Sequence, residues 1–263
     1  MNPDFMKQLW VGYKPIDWLD VSVTDNIFKY PPSIQEQVQN ARSDIYTQEI
    51  AKGKKIRDSD LYRVHTMDIS NEKCCLELEL MKWSELYIMK KYEHLGEQLM
   101  PDQYPNGIAC ACFVTTNDGY FIFGRRGSTS AGKKSGSIAM IGGTLQPDEG
   151  KVFSYKGFYD HILRELYEEI GIKDQYVYDS NIVGIQRMQN GGIGFLYHLS
   201  LSLTKDEVYN HFKQYSDNEF ADIDTIFARD TEQYLYDASY KDGILQRTLG
   251  LNITCLSLIL EHL

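Results

Sequence analysis

Apolar positions in the second half of the chain follow two rhythms. Over residues 158–170 they recur three and four apart, at Phe158 and Tyr159, Ile162 and Leu163, Leu166 and Ile170. That spacing predicts a helix with one apolar stripe, closed by Gly171. Elsewhere they form short runs bounded by turn residues, the signature of strands. Residues 108–116 and 120–124 flank Asn117-Asp118-Gly119, and Asp-Gly accepts the positive φ angles of a hairpin turn. Residues 181–189 and 193–202 flank Asn190-Gly191-Gly192 in the same way. Thr204 is placed to cap a helix over 205–215, a further strand is expected at 223–227, and a closing helix over 244–263.

The first hundred residues read as a separate α+β unit. A strand over 18–28 is stopped by Pro31-Pro32, and Ser33 with Glu36 forms a capping box for a helix to about 51. Paired strands over 61–69 and 74–81 follow, then a helix over 83–96. The basic run Lys52, Lys54, Lys55 and Arg57 reads as a solvated turn, and His65 and His94 stand alone. Two prolines and a glycine within 101–107 mark the best boundary. The expected organisation is an N-terminal α+β domain, 1–104, and a second domain, 105–263.

Composition supports a packed core: of 263 residues, 43% are hydrophobic and 24% charged. A net charge of −10 and a pI near 5.1 argue against nucleic acid or an anionic membrane as the main partner. Phosphates would have to be bound locally, through metal and a few cations. The five cysteines lack CxxC spacing, and Cys110 and Cys112 fall on one side of a strand, so buried thiols and a cytoplasmic setting are expected. The N-terminus has no basic segment followed by an apolar run, and the apolar tail is too short to span a bilayer.

Chemistry concentrates on the predicted helix at 158–170. Glu165, Glu168 and Glu169 stand at i, i+3 and i+4, which places them on one face away from the stripe. They lie in the last turns, where the helix dipole disfavours negative charge, and they repel one another. A hard divalent cation relieves both problems. A solvated acidic face is the alternative.

The surrounding residues decide between these. Arg164-Glu165-Leu166-Tyr167-Glu168-Glu169-Ile170-Gly171-Ile172 resembles, position for position, the second half of the Nudix box, the signature of the Nudix hydrolases. Gly143 and Glu149, with five residues between them, match its first half. The departure is the spacer: fourteen residues, 150–163, separate Glu149 from Arg164, where the usual box has seven. A register starting at Gly150 keeps both spacings but puts Lys156 where a glutamate belongs. Gly142-Gly143, followed by Pro147 and Glu149, favours the first register.

The resemblance implies a Nudix-type α/β/α sandwich with a mixed sheet, preceded by the smaller N-terminal domain. It also implies a Mg²⁺- or Mn²⁺-dependent hydrolase of a diphosphate linkage. Glu165, Glu168 and Glu169 would hold the metal, and Arg164 would orient the glutamates. One of the three, or Glu149 or Glu219, would act as general base. Residues 61–65 (LYRVH), 184–187 and 201–209, with the stretched spacer, are similar to a Nudix branch that cleaves UDP-glucose and related nucleotide sugars. A nucleotide sugar is therefore the favoured small-molecule substrate. A house-cleaning nucleoside triphosphate pyrophosphohydrolase and a non-catalytic nucleotide sensor remain alternatives. Oligomeric state is not legible.

Residues 127–134 (GSTSAGKK) nearly spell a phosphate-binding P-loop, but Lys134 stands where Ser or Thr is needed and no helix is expected to follow. It is not a P-loop. Arg125, Arg126, Lys133 and Lys134 remain as cations for phosphates or as solvent-facing charges. Arg126, Lys133 and Gly143 are the substrate-binding candidates.

Overall fold

The computed structural model describes residues 7–51, 58–100, 103–105, 107–127, 136–147, 154–188, 191–215, 220–235 and 249–263. A mixed sheet runs through its centre in the order β1 (Lys7–Pro15), β9 (Val177–Arg187), β10 (Ile193–Leu201), β5 (Ile108–Thr115), β6 (Tyr120–Arg126), β11 (Phe220–Phe227). β10 and β5 are parallel, and the other pairs on this path are antiparallel. All nine residues of β10 are buried, as a strand covered on both faces should be.

The β5–β6 hairpin forms as expected, but its strands stay paired only at Val114–Ile122 and Thr115–Phe121. They then diverge, and two short strands enter the fork. β7 (Ile138–Ala139) pairs with β6, and β8 (Ile141–Thr144) pairs with β5 from Ala109 to Cys112. Residues 138–144, where the sequence predicts no helix, form this insertion.

A second sheet holds β2 (Leu19–Ile27), β4 (Cys74–Lys82) and β3 (Asp60–Ile69), in that order. α1 (Pro32–Ala51), α2 (Trp83–Lys91) and α3 (Glu93–Gly96) cover one face of it through Ile34, Val38, Ile45, Ile88 and Met89. α1 begins one residue before Ser33. Pro32 takes the first helical position, where a missing N–H costs nothing, and Ser33 lies inside the first turn instead of capping it. The helix expected over 83–96 breaks at Tyr92, whose φ of −118° and ψ of 66° leave the helical region.

The other face of the small sheet, with Tyr62, Val64, Leu76 and Leu78, joins one continuous core with the central sheet. α4 (Tyr155–Ile170) and α5 (Lys205–Tyr215) pack into that core through Phe158, Ile162, Leu166, Ile170, Val208 and Phe212. On the opposite side of the central sheet lies α6 (Leu249–Leu260), with Cys255, Leu256 and Ile259 against Phe113, Phe121, Val183 and Leu196. The result is the α/β/α sandwich with a mixed sheet that the resemblance implies.

The segment before residue 105 contributes to both sheets, because β1 is the outermost strand of the central one. β1 was not expected as a strand, although Leu9, Val11 and Tyr13 alternate. Residues 244–248 of the predicted closing helix, the basic run at 52–57 and Asn190 lie outside the described residues. All five cysteines are free thiols. No helix among the described residues is long and apolar enough to cross a membrane.

Candidate active site

α4 carries the site; its C-terminal end is the one the sequence predicts, and its N-terminus lies three residues before the expected start. The Ser154 hydroxyl accepts the Lys156 N–H at the N-terminus, and Gly171 closes the C-terminus at φ 75°. Nine of the fourteen spacer residues, 155–163, are helical, so the helix itself absorbs much of the added length. Phe158, Ile162, Leu166 and Ile170 are fully buried.

The three glutamates do not share one environment. Glu169 is 1% exposed, Glu165 is half-buried and Glu168 faces solvent. The physical reason is angular. At about 100° per residue, positions i, i+3 and i+4 span a wide sector, and here its edge turns under the helix beside Ile170.

What lies under that edge is β8. The Gly142 N–H donates to Glu169 Oε2 at 2.7 Å. Gly142 has a φ of 146°, and a Cβ there would sit 2.1 Å from the Cys110 carbonyl oxygen. Only glycine fits a backbone so placed. At Gly143 a Cβ would meet the Glu165 carboxylate, 2.5 Å from Oε1 and 2.7 Å from Oε2. The two halves of the sequence signature are thus in direct contact: two carboxylates, one turn apart, lie on two successive glycines.

Arg126, at the end of β6, is 5% exposed, with Nη1 3.8 Å from Glu169 Oε1 and the guanidinium 4.8 Å from the Phe220 ring centre. Arg125 is engaged by Asp224, through Nε to Oδ1 at 2.8 Å and Nη2 to Oδ2 at 2.8 Å. Lys133, Lys134, Glu149 and Glu219 lie outside the described residues.

Arg164 Nη2 donates to Nδ1 of His161 at 2.9 Å. A guanidinium has no acceptor, so Nδ1 must accept and the ring proton sits on Nε2. The 3.7 Å approach of the same Nδ1 to Glu165 Oε1 is therefore not an ion pair. His161 is 2% exposed and the sequence reading missed it. Its signal was positional, three residues before Arg164 and four before Glu165.

The floor beneath the two glutamates is uncharged. Burial raises the Cys110, Cys112 and Tyr197 groups far above their ordinary values; Glu165 adds to this for Cys110, and Glu169 and Glu165 add to it for Cys112. No competing anion forms there. Cys110 and Cys112 face the same side of β5, as the strand period requires.

This donor set suits a hard divalent cation. Glu165 and Glu169 offer carboxylate oxygens beside β8, with Glu168 on the solvent side. Mg²⁺ usually takes one or two carboxylates and leaves its other positions to water and substrate phosphates. Among the described residues, no three His, Cys, Asp or Glu side chains form a ready-made cluster around a point.

No protein-family model matches the chain, and no curated protein does. Solved structures resemble parts of it. The MutT protein of Methanosarcina mazei Go1 is 17% identical with a TM-score of 0.33, covering 53% of this chain and 94% of its own. A NUDIX hydrolase from Nitrosomonas europaea is 14% identical with a TM-score of 0.34, covering 49% and 76%. A Nudix hydrolase from M. smegmatis, RenU, is 12% identical with a TM-score of 0.32, covering 52% and 81%.

Proposed function

We propose that this protein is a divalent-metal-dependent hydrolase of the Nudix kind. It would cleave the diphosphate of a nucleoside diphosphate joined to another group, with a nucleotide sugar as the favoured substrate. The observation that carries the reading is the contact between Gly142-Gly143 and the carboxylates of Glu169 and Glu165. A solvated acidic face has no use for a buried carboxylate seated on a backbone amide.

Glu165, Glu168 and Glu169 would hold the cation. When bound, it would supply Lewis acidity to the phosphoryl oxygens and make an attached water more acidic. Gly142 fixes Glu169 through its N–H, and the missing side chain of Gly143 leaves room for Glu165. His161 fixes Arg164 by accepting from its guanidinium, which keeps that arginine on the helix surface beside Glu165. Glu165 or Glu168 would take the proton from the attacking water, since Glu169 is enclosed; Glu149 and Glu219 are the loop alternatives.

The test is a Mg²⁺-dependent hydrolysis screen over nucleotide sugars, dinucleoside polyphosphates and nucleoside triphosphates, with products identified by mass. Nucleoside monophosphate plus sugar phosphate supports the proposal. Pyrophosphate released from a triphosphate would move the assignment to a house-cleaning activity. Nucleotide binding without turnover in Mg²⁺ would make the protein a sensor.

A further inference from the structure

We propose that Arg126 is a positioning residue, which holds the Glu169 carboxylate for the divalent cation and makes no contact with substrate. This rests on the hydrolase reading above and deepens it.

Glu169 is held by groups from two other elements. Its Oε2 is taken by the Gly142 N–H of β8, and its Oε1 faces Arg126 Nη1 of β6 at 3.8 Å. Arg126 is backed in turn by Phe220 of β11. That ring is locked over Gly124, where a Cβ would lie 2.3 Å from it. A charged carboxylate at 1% exposure is costly without compensation, and the guanidinium supplies it. The planar face against Phe220 and the charge toward Glu169 use arginine in two ways that lysine cannot reproduce together. At 5% exposure, the arginine presents little to a phosphate arriving from solvent. A cation entering beside Glu169 thus meets a carboxylate whose rotamer is already chosen.

The experiment uses the full chain as wild type, Arg126→Met, Arg126→Lys and Phe220→Leu. Mn²⁺ binding is measured without substrate by electron paramagnetic resonance, and hydrolysis is then measured against Mg²⁺ and substrate separately. Arg126→Met should weaken Mn²⁺ binding and raise the Mg²⁺ activation constant by about 10-fold or more, as loss of a ligand-orienting partner does. The substrate KM at saturating Mg²⁺ should hardly move. Arg126→Lys should recover part of the loss, and Phe220→Leu should show a smaller shift of the same kind. If Arg126→Met does not fold, the lysine and leucine variants read the same split. A raised substrate KM with unchanged Mn²⁺ binding would make Arg126 a phosphate contact and overturn the inference. A wild type that binds Mn²⁺ and hydrolyses, beside variants that do both equally well, would overturn it alone. A wild type that does neither would remove the hydrolase reading, and the inference with it.

Discussion

The buried pairs Arg63–Glu79 and Arg126–Glu169 use the same two residue types in different ways. Arg63 and Glu79 are direct cross-strand partners on β3 and β4, so strand register alone brings them together. Phe28 lies 4.5 Å beneath the Arg63 guanidinium, and His65 Nδ1 approaches Glu79 Oε1 at 3.5 Å. That pair lines a cleft of about 840 Å³ between the end of β2, the start of α1 and strands β3 and β4. Arg126 and Glu169, by contrast, join a strand to a helix, and a backbone amide takes the second carboxylate oxygen. The first pair ties neighbours within a sheet; the second fixes one carboxylate at a chosen point. Burial of an ion pair says little by itself. What else holds the glutamate separates architecture from function.

The largest effect should come from a residue in neither pair. Glu168→Gln is expected to lower kcat by about 10³-fold or more with unchanged thermal unfolding, because Glu168 faces solvent and, in the proposed function, would serve the reaction. Turnover close to wild type would end the assignment. In the small sheet, Arg63→Met alone should cost about 3–5 kcal/mol in denaturant unfolding, by leaving Glu79 buried without its partner. Replacing both Arg63 and Glu79 with Met should recover most of that loss and leave kcat unchanged. A double variant with kcat reduced in parallel would erase the contrast between the pairs.

Gly143→Ala tests the contact beneath Glu165. The new methyl group would overlap the carboxylate, so a displacement near 1 Å and a fall of about 100-fold in kcat are expected. A neutral result would show that Glu165 can retreat without consequence.

The smallest effect concerns a buried polar group outside both pairs. His198 is held by Tyr13 OH at 2.8 Å on Nδ1 and Thr115 Oγ1 at 2.9 Å on Nε2, and burial lowers its pKa from 6.5 to about 4. Asp179 opposes that shift and His262 adds to it. The unfolded chain therefore binds a proton below pH 6.5 that the folded chain refuses until about pH 4, so stability falls as pH falls through that window. Between about pH 7 and pH 5 the loss should be about 2 kcal/mol, read from urea midpoints. His198→Phe should flatten that slope.

Much of this was legible in the sequence, for local reasons. The stripe on α4 follows from helical spacing, and the Asp118-Gly119 hairpin follows from turn chemistry. The cap of α5 is a reciprocal box in which Glu207 Oε2 accepts from the Thr204 N–H and hydroxyl, each at 2.8 Å. What local pattern could not show was tertiary. Glu169 and His161 count as polar in any periodicity, so their burial depends on partners that the helix does not contain. Gly142 and Arg126 lie on separate strands of the fork. β1 finds its place only through β9, far along the chain. Phe220 falls just before the strand expected at 223–227, although β11 includes it, and nothing in the sequence connects it to Arg126.

The fork between β5 and β6 has a consequence for how this site tolerates change. β8 is anchored by β5, and α4 is anchored by its own stripe in the core, so neither depends on the segment joining them for its position. That makes the connecting length a nearly free variable. Doubling the length of a closed loop costs in general only about 0.6 kcal/mol in closure entropy. Residues could be added there, or a binding peptide grafted, while both carboxylates stay on their glycines. The site is a bracket fastened at two points, each set by its own packing.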